Sequence, residues 1–339
     1  MKKFHVPSSG FRKILIVKPS AFGDVIHGLP VLQALSERFP EAELHWVVAR
    51  QFAGILKDHP LIHRLWVIDK DGWKRPGRFG RTCSELGKLR RGLREEKFDL
   101  VIDLQGLFRS ALIVLFTGAR ETVGFESARE GARFFYKYRV RTEPELHAVE
   151  KNLLIARFVG CKEAAAQFPL ADPGEVPEIV RGLGRYAVIA PSAGTLVKRW
   201  PAEYFGRLAS LLSVPSVVVA GGSDVALGEK IASLSGGRAV SLAGKTSLQG
   251  LCAVIKGAQF LVTCDSGPMH LAAALKVPVF SLFGPTSPVR TGPYGSIHTV
   301  LRLDLACSPC YTRKPCPDWR CLLEITPEMV LEAIGSKGF

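Results

Sequence analysis

Short apolar runs of three to five residues recur along this chain, most of them spaced to leave room for one helix in between. That alternation narrows the possible folds more than any other feature. Residues 14–17 (ILIV), 44–48 (LHWVV), 65–68 (LWVI), 100–104 (LVIDL) and 122–124 (TVG) read as strands. Between them, Val25, Ile26, Leu29, Leu32 and Leu35 recur at helical spacing before a stop at Phe39-Pro40, residues 52–56 open a helix, and residues 109–116 form another. Strands that are apolar almost throughout are buried on both faces, as in a parallel sheet covered by helices on each side. Residues 126–141 read as one further excursion, and His147 opens a helix reaching about residue 159. Residues 160–178 then lose the periodicity and carry Pro169, Pro173, Gly174 and Pro177, which marks a linker. Beyond it the pattern restarts, with strands at 186–190, 217–220, 239–242, 260–263 and 279–283 and helices ending near Leu212 and Leu234, at 248–256 and at 270–275. The chain therefore reads as α/β, with two doubly wound parallel-sheet domains at 1–170 and 171–339.

In such sheets ligands bind beyond the carboxyl ends of the strands. The densest group of candidate residues there lies in 259–288, QFLVTCDSGPMHLAAALKVPVFSLFGPTSP, which reads as strand, tight turn, helix, strand and loop. Asp265, Ser266, Gly267 and His270 fall at its strand-to-helix turn. A carboxylate, a hydroxyl, exposed backbone N–H groups and an imidazole one helical turn on can grip a hydroxyl-rich, phosphorylated ligand. The same residues also make an ordinary helix cap. Lys198, in the run Lys198-Arg199-Trp200-Pro201, stands just before a helix, where a cation and N–H groups can meet one phosphate. After the first strand, residues 18–24 (KPSAFGD) form a loop with a single glycine and no G-x-G-x-x-G or P-loop pattern. Asp24 is either a cap or, if this strand end opens on a ligand, the carboxylate placed to act as a general base.

Lysine and arginine outnumber aspartate and glutamate 45 to 31, a net charge of +14. Such an excess favours an anionic partner: nucleic acid, a membrane surface or a polyanionic substrate. Much of it lies in residues 69–97, where Lys74, Arg75, Arg78, Arg81, Lys88, Arg90, Arg91, Arg94 and Lys97 follow Trp73. This segment is either a solvated helix face with its loop or an arm for acidic acceptor groups. Asp69-Lys70-Asp71 spells D-x-D beside it and is read as surface. No apolar run reaches the roughly 18 residues of a membrane span, and the basic amino terminus leads no secretory-type apolar stretch, so a cytoplasmic protein is expected. Four scattered cysteines (Cys83, Cys161, Cys252, Cys264) fit a reducing compartment better than a disulfide scaffold. Cys307, Cys310, Cys316 and Cys321 have spacings unlike a familiar zinc ribbon or finger; they read as reduced thiols in a Cys-rich tail segment, 307–321, with structural zinc as the alternative.

Several pieces, taken in order, carry a resemblance. They are Lys18-Pro19-Ser20-Ala21-Phe22-Gly23-Asp24-Val25-Ile26-His27 with Leu29-Pro30, Asp103-Leu104-Gln105-Gly106-Leu107, Lys198-Arg199-Trp200-Pro201, Asp265-Ser266-Gly267-Pro268-Met269-His270, and Phe283-Gly284-Pro285-Thr286-Ser287-Pro288. Together, over residues 14–288, they resemble the ADP-heptose:lipopolysaccharide heptosyltransferases of glycosyltransferase family 9. The resemblance implies the GT-B fold, two Rossmann-like domains facing a central cleft, the first binding the acceptor and the second the ADP-sugar. It also implies an inverting, metal-independent and cofactor-free transfer of L-glycero-D-manno-heptose from ADP-heptose to Kdo2-lipid A or another lipopolysaccharide inner-core acceptor. Residues 105–110 with Ala128, Arg129, Glu130, Phe135 and Tyr136 look most like type I members, which add the first heptose. The cysteine-rich tail looks more like other members, so a type II or another family 9 transferase is the alternative.

By the same resemblance Asp24 would be the base, and Lys198 with Ser192 would hold the diphosphate. Asp265, Ser266, Gly267 and His270 would bind heptose, Thr246 would contact adenosine, and Asp224, or failing it Glu229, the ribose. Ser192-Ala193-Gly194-Thr195 stands where some members carry paired threonines, which leaves open which hydroxyl meets the phosphate. Lys18, Ser20, Lys74 and Arg75 would face the acceptor. The basic first domain, through residues 73–97, would dock on the anionic cytoplasmic face of the inner membrane. A GT-B sugar-nucleotide epimerase shares the architecture. A basic nucleic-acid-binding protein would explain the charge, but no motif for it is visible.

Overall fold

The computed structural model describes the chain apart from residues 1–3, 5, 9, 75, 76, 78 and 163. It divides into two compact units, Met1–Ala171 and Asp172–Phe339. In the first, strands β1 (Lys13–Val17), β2 (Glu43–Ala49), β3 (Arg64–Ile68), β4 (Leu100–Asp103), β5 (Glu121–Phe125) and β6 (Tyr138–Val140) pair in parallel in the order β3-β2-β1-β4-β5-β6. Helices α1 (Phe22–Arg38), α2 (Phe79–Glu95) and α3 (Phe108–Thr117) cross over between strands, and α4 (Ala148–Phe158) follows β6 and packs on α1. Strand β1 lies between β2 and β4, and Ile14, Leu15, Ile16 and Val17 have no accessible surface. Each such side chain withdrawn from water contributes about 1.5–3 kcal/mol. Gly28 lets α1 approach β2 closely, because a Cβ there would stand 2.8 Å from the Trp46 indole. Overpacking of that kind costs about 1–3 kcal/mol.

The second unit repeats the plan. Strands β7 (Ala187–Ala190), β8 (Ser216–Val218), β9 (Ala239–Ser241), β10 (Leu261–Cys264), β11 (Val279–Leu282) and β12 (Thr299–Leu301) pair in parallel as β12-β11-β10-β7-β8-β9. Counted from its own first strand, this is again the Rossmann order 3-2-1-4-5-6. Helices α5 (Glu178–Arg181), α6 (Ala202–Leu211), α7 (Val225–Leu234), α8 (Leu248–Lys256), α9 (Gly267–Ala274), α10 (Pro288–Thr291), α11 (Arg320–Leu323) and α12 (Pro327–Gly335) complete it. Its core pairs Trp200 with Phe205 and Phe260 with Phe280 edge to face, and α12 returns Val330 and Ile334 to that core. In both sheets the strand order reverses at a central pair, β1/β4 and β7/β10. The loops after those strands therefore open side by side, which is where ligands bind in this fold.

Two expectations are corrected, and one strand goes beyond them. Residues 126–141 do not form an excursion alone but return as β6, and β12 closes the other sheet; both are three-residue edge strands whose middle residues, Arg139 and Val300, are exposed. So short a strand leaves almost no periodic signature. The helix expected from residue 52 is a 3-10 turn, Arg50–Ile55, because neighbouring β2 and β3 need only a compact connection.

Candidate functional site

Lys198 closes the 3-10 helix Leu196–Lys198, and its Nζ donates to Asp265 Oδ2 at 2.6 Å. Thr286, in the loop after β11, donates to the same oxygen at 2.8 Å. Asp265 follows β10 and is almost wholly buried, so a cation, a hydroxyl and a carboxylate from three loops converge at the carboxyl edge of the sheet. Beside it, Thr263 Oγ1 bridges the Ala190 carbonyl at 2.9 Å and the Ser266 hydroxyl at 2.9 Å, tying the ends of β7 and β10 together. Ser266 caps α9 through extended backbone rather than its side chain, Gly267 opens the helix, and His270 is buried one turn on.

A second ion pair lies after β7 and β8. Arg199 grips Asp224 with both guanidinium nitrogens, at 2.8 and 3.0 Å, and Ser192 donates to the same carboxylate at 2.7 Å. Burial opposes the charge on Asp224, yet Arg199 and Ser192 hold its carboxyl below the usual range. The structure thus groups Ser192 with Asp224, while Glu229 on α7 pairs with Lys245. Thr195 Oγ1 is buried and, among the described residues, unpaired. Thr246 precedes Ser247, whose hydroxyl caps α8 through the Gly250 N–H.

In the first unit, one oxygen of Asp24 accepts from the Ala21 N–H at 2.9 Å, the return half of a capping box. Its other oxygen is 4.0 Å from Lys18 Nζ, and the side chain is 43% exposed. Asp24 is therefore a cap and an accessible carboxylate at once. Lys18 is buried, with its ammonium on the Leu104 carbonyl at 2.7 Å, and the Ser20 N–H donates to Gln105 Oε1 at 3.1 Å. These contacts join the loops after β1 and β4. Beneath them Asp103 is fully buried: Gln105 and Gly106 N–H donate to Oδ1, and the Tyr136 hydroxyl donates to Oδ2 at 2.6 Å. Burial pushes the Asp103 carboxyl up, against the pull of those three donors. Gly106 adopts a left-handed φ of 68°, as this turn requires. Lys74 ends the 3-10 helix Gly72–Lys74, while its side chain and all of Arg75 lie outside the described residues.

Arg199, Thr286, Asp103 and Tyr136 stand in or beside the motifs but were assigned no role from the sequence. Their partners are 21 to 33 residues away, and residue types do not reveal such pairings. In the D-x-D triplet, Asp69 accepts from the Gly72 N–H at 2.9 Å. The tail thiols Cys307, Cys310 and Cys316 are exposed, and burial first, then those neighbouring thiols, pushes the Cys321 thiol up. Their loop is stitched to the loop after β11: Ser308 Oγ donates to the Gly284 carbonyl and the Tyr311 N–H to the Pro285 carbonyl, next to Thr286. Among the described residues, the group of side chains spaced to hold a metal is Glu43, His45 and His63. Lys13 already sets a cation 3.1 Å from Glu43, and the Trp66 indole N–H donates to His45 Nδ1, leaving the proton on the nitrogen a metal would need.

The chain matches the model of glycosyltransferase family 9 (heptosyltransferase) over residues 86–318. It is 33% identical to lipopolysaccharide heptosyltransferase 1 of Pseudomonas aeruginosa, covering 94% of this chain and 93% of that protein. Among solved structures, E. coli heptosyltransferase WaaC with ADP-2-deoxy-2-fluoro heptose superposes with a TM-score of 0.78 at 26% identity, covering 96% of this chain and 100% of that one. E. coli ADP-heptose lps heptosyltransferase II gives 0.75 at 25% identity, covering 96% and 98%.

Proposed function

The chain belongs to glycosyltransferase family 9, the heptosyltransferases, with the GT-B fold, and on that premise we propose that it moves L-glycero-D-manno-heptose from ADP-heptose to the Kdo of the lipopolysaccharide inner core, with inversion and without a metal ion. The observation that carries this reading is the convergence of Lys198, Thr286 and Asp265 at the carboxyl edge of the second sheet. Lys198 and the N–H groups at the start of α9 meet the diphosphate and offset the charge that develops on departing ADP. Asp265, with Lys198 and Thr286 both on one oxygen, turns the other to heptose hydroxyls, and the Ser266 and Gly267 amides with His270 complete that pocket. Asp224, held ionised by Arg199 and Ser192, takes the ribose, and Thr246 contacts adenosine through its backbone.

In the first unit, Asp24 takes the proton of the acceptor hydroxyl as that oxygen attacks the anomeric carbon. ADP leaves from the opposite face, so the configuration inverts. Lys18 orients Asp24 from 4.0 Å; Ser20, Lys74 and Arg75 remain acceptor contacts on sequence grounds alone. No described helix is long and apolar enough to cross a membrane. We place the enzyme on the cytoplasmic face of the inner membrane, drawn there by its basic first unit, with no nucleic-acid partner.

The acceptor is Kdo2-lipid A, a reading supported by the likeness to lipopolysaccharide heptosyltransferase 1. The likeness to a type II structure and the cysteine-rich tail support the second reading, an acceptor that already bears one heptose. Incubation with ADP-heptose and each acceptor separates them. ADP release with Kdo2-lipid A is expected, release only with the heptosylated acceptor makes the enzyme type II, and release with neither overturns the transfer.

A further inference from the structure

Helix α3 turns an apolar strip to solvent, with exposed Arg109 at its border. Ser110, Ala111, Ile113, Val114 and Thr117 are buried, whereas Phe108 (44% exposed) and Leu115 (58%) face solvent with half-buried Leu112 between them, and Phe116 at the edge of the strip packs partly on the core. Phe108 meets Phe135 edge to face, and next to Phe135 the ring of Phe134 is 67% exposed with Arg133 and Arg139 over it at 4.9 and 5.7 Å. One acid, Glu130, sits at this strip, accepting from the Phe108 N–H. Helix α2 packs along the other flank of α3 and carries Arg81, Lys88, Arg90, Arg91 and Arg94 against Glu85 and Glu95.

Where α2 and α3 end, a cavity of about 900 Å³ opens, lined by Arg12, Arg91, Arg94, Lys97 and Arg120, with Phe11 and Phe98 in its wall. Among the described residues none of these five cationic groups is in an ion pair. Of the acids in the same wall, Asp99 accepts from the Arg12 and Lys13 N–H groups and Glu121 is paired with Lys137, which leaves Glu95 against five cations. An exposed apolar strip alone is compatible with many coverings, but one rimmed by unpaired arginines selects an anionic occupant.

We propose that the α3 strip and the adjoining arginine cavity are the surface by which the first unit docks on an anionic phospholipid bilayer. Phe108, Leu115 and Phe134 enter the boundary between headgroups and acyl chains, and the cavity takes lipid phosphate. Interfacial helices bind through this combination of apolar area and charge. The proposal rests on the peripheral-membrane reading above and moves it: the sequence points to residues 73–97 as a whole, the structure to the helical half of that arm together with a helix outside it.

The test sediments the full chain with vesicles of phosphatidylcholine, alone or mixed with phosphatidylglycerol. The same is done for Leu115→Asp/Phe134→Asp and for Arg91→Ala/Arg94→Ala/Arg120→Ala. The wild type is expected to bind the mixed vesicles at least about tenfold more strongly than neutral ones, less so at high salt, and each variant to lose about tenfold or more. Equal binding to both vesicle types, unchanged binding by either variant, or displacement by millimolar inorganic phosphate, which would mark a free-phosphate site, overturns it. So does retention of an acidic protein or RNA in place of vesicles. ADP release with a delipidated, soluble acceptor is measured in parallel: both variants should keep it, and its absence in the wild type would sink heptosyl transfer while leaving the vesicle result to stand or fall alone.

Discussion

The two units share one strand order and part company at the loops that follow their central strands. In the first, the charges are turned inward: Lys18 is buried on a carbonyl and Asp103 lies fully buried beneath Tyr136. Together they hold a rigid turn around one accessible carboxylate, Asp24. In the second, Lys198–Asp265 and Arg199–Asp224 form ion pairs at a half-buried edge, where an anionic ligand can compete for the cations. One topology thus supports two kinds of site, because the fold fixes where the loops open and the loops decide the chemistry.

The largest effect expected from this contrast is at Asp24. Asp24→Ala and Asp24→Asn should each lower turnover by about 10²–10⁴-fold in an ADP-release assay. Only the alanine variant should also lose about 0.5–1 kcal/mol in urea denaturation, because asparagine keeps a cap oxygen. Near-normal turnover in the asparagine variant would reduce Asp24 to its capping role and erase the contrast. Next comes Lys198→Ala, which should cost about 10²–10³-fold in kcat with a folded protein. A change confined to KM would mean that Lys198 only binds.

A stability effect is expected at the inward-turned charges. Tyr136→Phe removes a donor from fully buried Asp103 and should cost about 1–3 kcal/mol by urea denaturation, while the folded fraction keeps turnover within a few-fold. If turnover falls as far as in Lys198→Ala, the buried Asp103–Tyr136 pair does more than hold the turn around Asp24. The smallest effect lies at the amino edge of the same sheet. Hydrogen bonding from Lys13 first, and from Arg64, holds the Glu96 carboxyl below its usual 4.5. A carboxyl with a depressed folded-state value adds stability above 4.5 and loses it as pH falls through the lowered value. The urea midpoint of wild type should therefore drop further between pH 5 and pH 3 than that of Glu96→Gln.

Much of this fold is legible in the sequence, since central strands such as residues 14–17 and 187–190 are apolar from end to end and parallel sheets demand that. The edge strands β6 and β12 are not, because three residues with an exposed middle carry neither a run nor a period. The site divides in the same way. Asp24, Lys198 and Asp265 stand out as charged residues in the segments that follow strands, but that Lys198 and Thr286 would meet on a single oxygen of Asp265 depends on loops 67 and 21 residues apart in sequence closing on one point. The α3 strip is equally hidden: residues 109–116 read simply as a helix until the neighbours that cover only one of its sides are known.

The cysteine-bearing tail ties its backbone and a serine hydroxyl to Gly284 and Pro285, one residue short of the threonine that holds Asp265. What looks like a trailing appendage is thereby a buttress: shortening or chemically blocking it would be felt at Asp265, through a lever only two peptide links long.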